Sequence, residues 1–323
     1  MIDKQKHQYV IRQSFIATIA GLFFFYSAGL IANSGIKNIL FSQPEQVTEN
    51  VWSAIGATAP PTYENSGHNN NLTFIITSEG VVVINAGDNY LLAKSLHQTI
   101  KAITDQPVKY VVLENGQGHA ALGSNYWKEQ GVPIIAHIET KQELESHGHD
   151  SFDRMKRGRK DKSLGTELVL PDITFEEKKV LELGGERIEI LHLGPSHSPG
   201  DVVVWLPGQS LVIAGDMAFH KRILPVIEHT DTGAWVETWE KFAELDANIV
   251  IPGHGGPTNM QEVTKYTRDY LVYMREQITL LLDNDGTLHD ATKIDQSAYE
   301  HLDVFDELGL RNASTMFRQM EFE

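Results

Sequence analysis

Four side chains able to bind a metal or move a proton stand where apolar runs give way to polar, glycine-rich segments. They are His119, His197, Asp216 and His254. His119 closes Glu114-Asn-Gly-Gln-Gly-His119-Ala120, directly after the run Tyr110-Val-Val-Leu113. His197 lies in Gly194-Pro-Ser-His197-Ser-Pro-Gly200, Asp216 in Ala214-Gly-Asp216, and His254 in Pro252-Gly-His254-Gly255. An apolar run that ends in glycine or proline and a polar side chain reads as a buried strand feeding a loop. Imidazoles and a carboxylate gathered by such loops could hold a divalent ion, and histidine could carry protons. The chain has no cysteine, which excludes thiolate ligands, disulfides and a cysteine nucleophile.

The elements that must position these groups follow from periodicity. Leu72–Thr77 and Val81–Ile84, separated by Glu79-Gly80, predict a β-hairpin rich in branched and aromatic residues. Leu92, Leu96, Ile100 and Ile103 fall at helical spacing. A strand over 108–113 precedes the His119 loop, a short helix near Asn125-Tyr-Trp127 comes next, and Pro133-Ile-Ile-Ala136 is a further buried strand. Short strands at 173–175, 180–183, 188–193, 202–206 and 211–214 follow, then a helix from Trp235 to Leu245 and a strand at 249–251. Each half thus contributes several strands, then a helix and a strand, which predicts a four-layer α/β/β/α sandwich. The polar stretch from Glu139 to Lys162 reads as a solvated, mobile loop over the site or as a flap that grips substrate. Met260–Leu282 carries a long apolar stripe, with Tyr266, Tyr270 and Tyr273 as packing residues, and shorter helices follow. The expected organisation is a signal or transmembrane anchor at 1–36, a linker at 37–69, the sandwich domain at 70–260 and a C-terminal helical extension at 261–323.

The N-terminal expectation rests on Lys4, Lys6 and Arg12 ahead of an uncharged apolar stretch from Phe15 to Ile36. About 20 such residues suffice to span a bilayer as a helix. The run is long for a cleaved export signal, which favours an anchor and a place in a bacterial-type cell envelope, membrane-anchored or periplasmic. The net charge of −16 disfavours a nucleic-acid partner.

In order and spacing, the three later motifs resemble those of the metallo-β-lactamase fold superfamily, over roughly residues 70 to 260. The Pro195-Ser-His197-Ser-Pro-Gly200 turn, Gly215-Asp216 and Pro252–Gly255 carry the likeness. The superfamily's leading signature is His-x-His-x-Asp-His. Here it falls on Asn115-Gly-Gln117-Gly-His119-Ala120, so two histidines become amides, the aspartate becomes His119 and the last histidine becomes Ala120. An aspartate that orients a ligand histidine in the family falls on Asn85.

The resemblance implies that Asp216 occupies the place of an aspartate shared by two zinc ions, with His197 on the first and His254 on the second. Two full zinc sites cannot be assembled from Asn115 and Gln117, since amide oxygens suit harder ions. One zinc ion held by His119, Asp216 and His254 remains open, with His197 as a fourth ligand or a hydrogen-bonding neighbour. Such an ion lowers the pKa of a water ligand towards about 7 and polarises a carbonyl. The implied reaction is hydrolysis of an ester, amide or thioester in a small-molecule substrate, with His119, His197 and Asp216 as the catalytic set and His119 or His197 moving the proton. The alternative is a metal-free pseudoenzyme serving as a binding or scaffold domain. No protein partner is indicated. Glu114, Tyr126 and Trp127 flank the altered loop and shape the pocket or core. His68 reads as a solvated turn or part of the cleft mouth, His147-Gly-His149 as an exposed pair, and His220 and His229 as residues that could approach substrate.

Overall fold

The computed structural model describes residues 38–323. In chain order the elements begin with strands β1 (Glu45–Gln46), β2 (Val51–Ala54), β3 (Leu72–Thr77) and β4 (Gly80–Ile84). Helix α1 (Tyr90–Ile103) leads to β5 (Val108–Val112), and α2 (Gly118–Ala121) and α3 (Ser124–Glu129) lead to β6 (Ile134–His137). Helix α4 (Ile138–Arg159) precedes β7 (Ile173–Phe175), β8 (Lys178–Leu183), β9 (Glu186–Leu191), β10 (Val203–Leu206) and β11 (Leu211–Phe219). Helix α5 (Thr232–Ala243) connects to β12 (Ile249–His254). The chain ends in α6 (Met260–Val263), a π-helical turn (Thr264–Arg268), α7 (Asp269–Asp283), α8 (Leu288–Ala291) and α9 (Phe305–Met320).

The first sheet has seven strands in the order β1-β2-β3-β4-β5-β6-β7, and the second has five in the order β12-β11-β10-β9-β8. Strands β4 to β7 pair in parallel, as do β11 and β12, and every such pair is joined through helix. The two sheets pack through residues of alternate register. Val82, Ile84 and Val112 meet Ile190, Val204, Leu211 and Ile213 between the sheets. Their neighbours Val81, Val83 and Val111 face the other way, onto Leu92, Leu96 and Trp127 of α1 and α3. On the far side, Val212 and Ala214 meet Trp235, Trp239, Tyr270 and Met316 from α5, α7 and α9. The period of two in each strand therefore gives both faces an apolar partner and produces the α/β/β/α layering. Burying each fully enclosed Val, Leu, Ile, Phe or Met side chain contributes about 1.5–3 kcal/mol. Trp127 also donates from Nε1 to Ala86 O at 3.2 Å, so its one polar atom is satisfied in the core.

Three local expectations need correction or qualification. The stretch expected to be a linker, 37–69, contains β1 and β2, and β2 pairs antiparallel with β3. Its strand character is hidden because a buried hydroxyl pair, Ser53 Oγ and Thr73 Oγ1 at 2.9 Å, stands where apolar residues would. The polar stretch read as a mobile loop is the 22-residue helix α4. Its buried positions are Thr140, Leu144, Gly148, Met155 and Arg159, a helical stripe built largely from residues that do not register as apolar. The membrane-anchor or signal expectation for 1–36 lies outside the described residues. Among the described residues no helix is long and apolar enough to cross a membrane.

Candidate metal centre

The centre lies where the parallel strands of both sheets end, the side of an α/β sheet where loops can converge. Glu114 follows β5, Asp216 sits inside β11, and His254 ends β12. All nine residues of β11 are buried, so Asp216 is a charge enclosed by backbone and rings and 1% exposed. Gly253 lets β12 pass close beside it: a Cβ there would stand 2.4 Å from Asp216 Oδ1.

His119, Asp216 and His254 form a group whose ligand atoms all lie within 4.8 Å of one another. His119 Nε2 is 3.4 Å from Asp216 Oδ2, and His254 Nε2 is 3.2 Å from Asp216 Oδ1. The two imidazoles meet edge to face, with ring centroids 5.5 Å apart. His254 also stacks on Phe219 at 5.2 Å, which fixes the plane of its ring.

The tautomer of His254 follows from its neighbours. Its Nδ1 lies 2.6 Å from the carbonyl oxygen of Asn69, which can only accept, and 3.2 Å from Arg222 Nη1, which can only donate; the much shorter contact places the proton on Nδ1. Burial and the adjacent Arg222 push the ring's pKa down to about 4, so it is neutral at physiological pH. Nε2 then presents a lone pair to Asp216 Oδ1, an acceptor facing an acceptor. A cation between them turns that repulsive contact into coordination. Among the described residues, buried Asp216 Oδ1, His119 Nε2 and Glu114 Oε1 lack a hydrogen-bond partner, which suits a donor set for a cation. The residues present therefore fit a divalent ion held by two imidazoles and a carboxylate.

His197 is brought alongside but not into this group. Its Nδ1 stands 3.7 Å from Asp216 Oδ2 and is taken up by the Gln117 side-chain amide at 2.6 Å. Burial lowers the His197 pKa. Its turn is held by Asp201, which accepts from Ser196 Oγ at 2.6 Å, Ser198 N at 2.8 Å and Ser198 Oγ at 2.7 Å. The amides of the altered loop thus serve as hydrogen-bond partners. Asn115 Nδ2 donates to Asp216 Oδ2 at 3.3 Å, and Asn115 Oδ1 accepts from Gln117 N at 3.0 Å.

His119 stands between two carboxylates, with Glu114 Oε1 at 3.5 Å from the same Nε2. Burial disfavours its charge, but Asp216 and Glu114 outweigh this and hold its pKa up to about 10. Burial acts against ionisation of Asp216 as well, yet His119 and His254 keep its pKa well below the usual carboxylate range. Burial and the neighbouring Asp216 raise that of Glu114.

Access runs past His119, whose side chain is 10% exposed. A cavity of about 400 Å³ opens there, lined among others by Gln117, His119, Ser151, Arg154 and Arg159. Arg159 is engaged by Asp88, but Arg154 is exposed and, among the described residues, donates only to Ser151 Oγ, at 2.8 Å.

The remaining histidines are placed apart from the centre. His68 is fully buried, accepting from Phe41 N at 2.9 Å with Nε2 3.2 Å from Ala54 O, so it neither forms a solvated turn nor lines the cleft mouth. His147 lies on α4 and stacks on His229 at 5.2 Å, while His220 Nδ1 meets Gly256 O at 2.8 Å. Sequence reasoning passed over the part of Asn71, which donates to Pro252 O at 2.8 Å and Gly255 O at 2.7 Å and ties the His254 loop to the first sheet. The run Asn69-Asn-Asn71, followed at once by a strand, is the signal that was available.

The family profile described as the Metallo-beta-lactamase superfamily matches residues 118–254, a span that contains all four of the predicted site residues. The chain carries a metallo-β-lactamase superfamily domain. It is 23% identical over 252 residues to the linear primary-alkylsulfatase of a Pseudomonas species, covering 66% of this chain and 47% of that protein. The chain therefore spans about half the length of that relative. It is 23% identical over 227 residues to metallo-beta-lactamase IND-1 of Chryseobacterium indologenes, covering 69% of this chain and 85% of that one. Among solved structures, a metallo-beta-lactamase from Pontibacter korlensis superposes with a TM-score of 0.59 at 21% identity, covering 71% of this chain and 98% of the other. The two sheets and flanking helices of this chain are thus of the metallo-β-lactamase type.

Proposed function

We propose that the chain is a hydrolase of a small ester, amide or thioester, working with one divalent ion held by His119, Asp216 and His254. The observation that carries this reading is the His254 tautomer: Asn69 fixes the proton on Nδ1, leaving the Nε2 lone pair aimed at a carboxylate oxygen 3.2 Å away. The ion, when bound, would supply Lewis acidity and a water ligand of lowered pKa near neutral pH. Zinc suits the set of two imidazoles and a carboxylate.

The chain's own groups would divide the remaining work. Asn115 holds Asp216 in place through Oδ2. His119, at the mouth of the cavity, would hold the ion through Nε2 and keep its proton on Nδ1, a hydrogen-bond donor beside the substrate. His197 walls the centre, its Nδ1 engaged by Gln117, and acts as a hydrogen-bonding neighbour. Arg154 gives the opening a positive charge suited to a substrate with an anionic group. The names of the relatives, an alkylsulfatase and a beta-lactamase, fit ester and amide cleavage within one fold. The apolar run from Phe15 to Ile36 supports a site of action at the cell envelope.

One observation favours a second reading. His119 between Glu114 and Asp216 can exist as an imidazolium, since its pKa is held up to about 10. A metal-free pseudoenzyme would use that buried ion triplet as structure. Metal analysis of protein purified without chelators decides between the two. About one equivalent of zinc, lost in His254→Ala, supports the enzyme. No uptake under saturating zinc, with an unchanged melting temperature, refutes the metal centre and favours the pseudoenzyme.

A further inference from the structure

We propose that Glu114 is a further ligand of this metal centre, supplying from the end of β5 the carboxylate that the following loop has lost. The inference rests on the metal-centre reading and adds a residue to it. Glu114 is 3% exposed, and its Oε1 has no hydrogen-bond partner among the described residues. That oxygen lies 3.5 Å from His119 Nε2, the same nitrogen that faces Asp216 at 3.4 Å. The backbone of Glu114 is pinned at both ends. Its N–H donates to Asn85 Oδ1 at 3.1 Å, and its carbonyl accepts from Val202 N at 2.9 Å.

Two neighbouring positions are shaped for this carboxylate. Gly215 has φ +56°, and a Cβ there would stand 2.3 Å from Glu114 Oε2. Any side chain at 215 would therefore displace the glutamate. Asn85 occupies the place where the family resemblance leads one to expect an aspartate. An aspartate would set a third buried carboxylate beside Glu114 and Asp216, whereas the Asn85 amide is neutral and its Oδ1 accepts the Glu114 N–H at 3.1 Å. The amide at 85 and the glutamate at 114 are thus compatible changes.

With an ion bound through both imidazoles, His119 and His254 would be neutral, and a divalent cation would offset the charges of Asp216 and an ionised Glu114. Two imidazoles and two carboxylates suit a borderline divalent ion such as Zn²⁺ or Co²⁺.

The test uses the full chain, stripped by chelator and titrated with Zn²⁺ by calorimetry and with Co²⁺ by visible absorption. Wild type, Glu114→Gln and His254→Ala are compared, each checked by circular dichroism and by melting in chelator. Wild type should bind one equivalent. Glu114→Gln should bind at least about tenfold more weakly and change the energy or intensity of the Co²⁺ d–d bands. If wild type binds and Glu114→Gln matches it in affinity and spectrum, Glu114 is not a ligand while the metal centre stands. If wild type binds neither ion, the metal centre itself is wrong and this inference falls with it. Should Glu114→Gln not fold, Glu114→Asp, which withdraws the oxygens by one methylene, gives the same comparison. Lost affinity with an altered spectrum supports ligation, and an unchanged spectrum overturns it.

Discussion

Arg159 grips both oxygens of Asp88, with Nη2 2.7 Å from Oδ1 and Nε 2.9 Å from Oδ2. The pair joins the last turn of α4 to the loop after β4, and Arg159 Nη1 adds a bond to Pro61 O at 3.0 Å. Both side chains are almost fully buried. Removing one partner strands the other charge, so Arg159→Met should cost about 3–5 kcal/mol. Pairing it with Asp88→Asn, which removes the stranded charge, should recover much of that loss. Urea denaturation of the two variants measures both quantities. A single variant as stable as wild type would show that α4 is held by other contacts.

Asp201 organises the turn that presents His197. Replacing it with alanine leaves the Ser196 hydroxyl, the Ser198 hydroxyl and the Ser198 N–H without their common acceptor. The expected cost is about 3 kcal/mol, read as a lower melting temperature. Because Asp216 and His254 are held by other elements, ion binding should weaken far less than in His254→Ala.

Glu143 gives stability a pH dependence. Burial raises its pKa to about 7, assisted by Asp201 and Asp216 and opposed by the Gly116 N–H and His119. Unfolded, the same carboxyl ionises near 4.5. Between those values the folded chain keeps a proton that the unfolded chain has released. The contribution of this group is therefore complete below the lower value and lost as pH rises through about 7. Glu143→Gln should flatten that part of the stability curve and gain about 1 kcal/mol at pH 8, a figure reduced for partial solvent access. Melting temperatures of both proteins from pH 5 to 8 check the sign. A steeper fall in the variant would contradict it.

Among the described residues, Arg154 has no carboxylate partner at the opening beside His119. If the cavity admits substrate, Arg154→Ala should raise KM about tenfold for an anionic ester and leave KM for a neutral ester of similar size nearly unchanged. Equal effects on both esters would remove Arg154 from substrate binding.

The sandwich was legible because β4, β5, β11 and β12 are dense in Val and Ile and break at glycine, proline or a polar residue. That pattern survives without any knowledge of partners. His119, Asp216 and His254 were legible for the same reason, since each sits at or near such a break. Glu114 was read only as a neighbour of the altered loop, because a carboxylate that ends a strand has no spacing rule of its own. Its meaning depends on Gly215, a residue remote in sequence that leaves it room. Helix α4 was missed because its inward stripe uses threonine, glycine and arginine, whose burial is bought by specific contacts and not by apolarity. Gly200, for example, lies so close to Thr140 that its carbonyl accepts the threonine hydroxyl at 2.9 Å.

The bond from His254 Nδ1 to Asn69 O spans 185 residues, and those from Asn71 reach the same distant loop. A nascent chain emerging from the ribosome therefore has no complete centre until its second sheet has been synthesised and docked on the first. An ion delivered earlier would meet only scattered, weakly binding imidazoles and carboxylates. If the centre takes up an ion, loading would follow the last stage of folding, and the supply of ion would have to be found wherever this chain finishes folding.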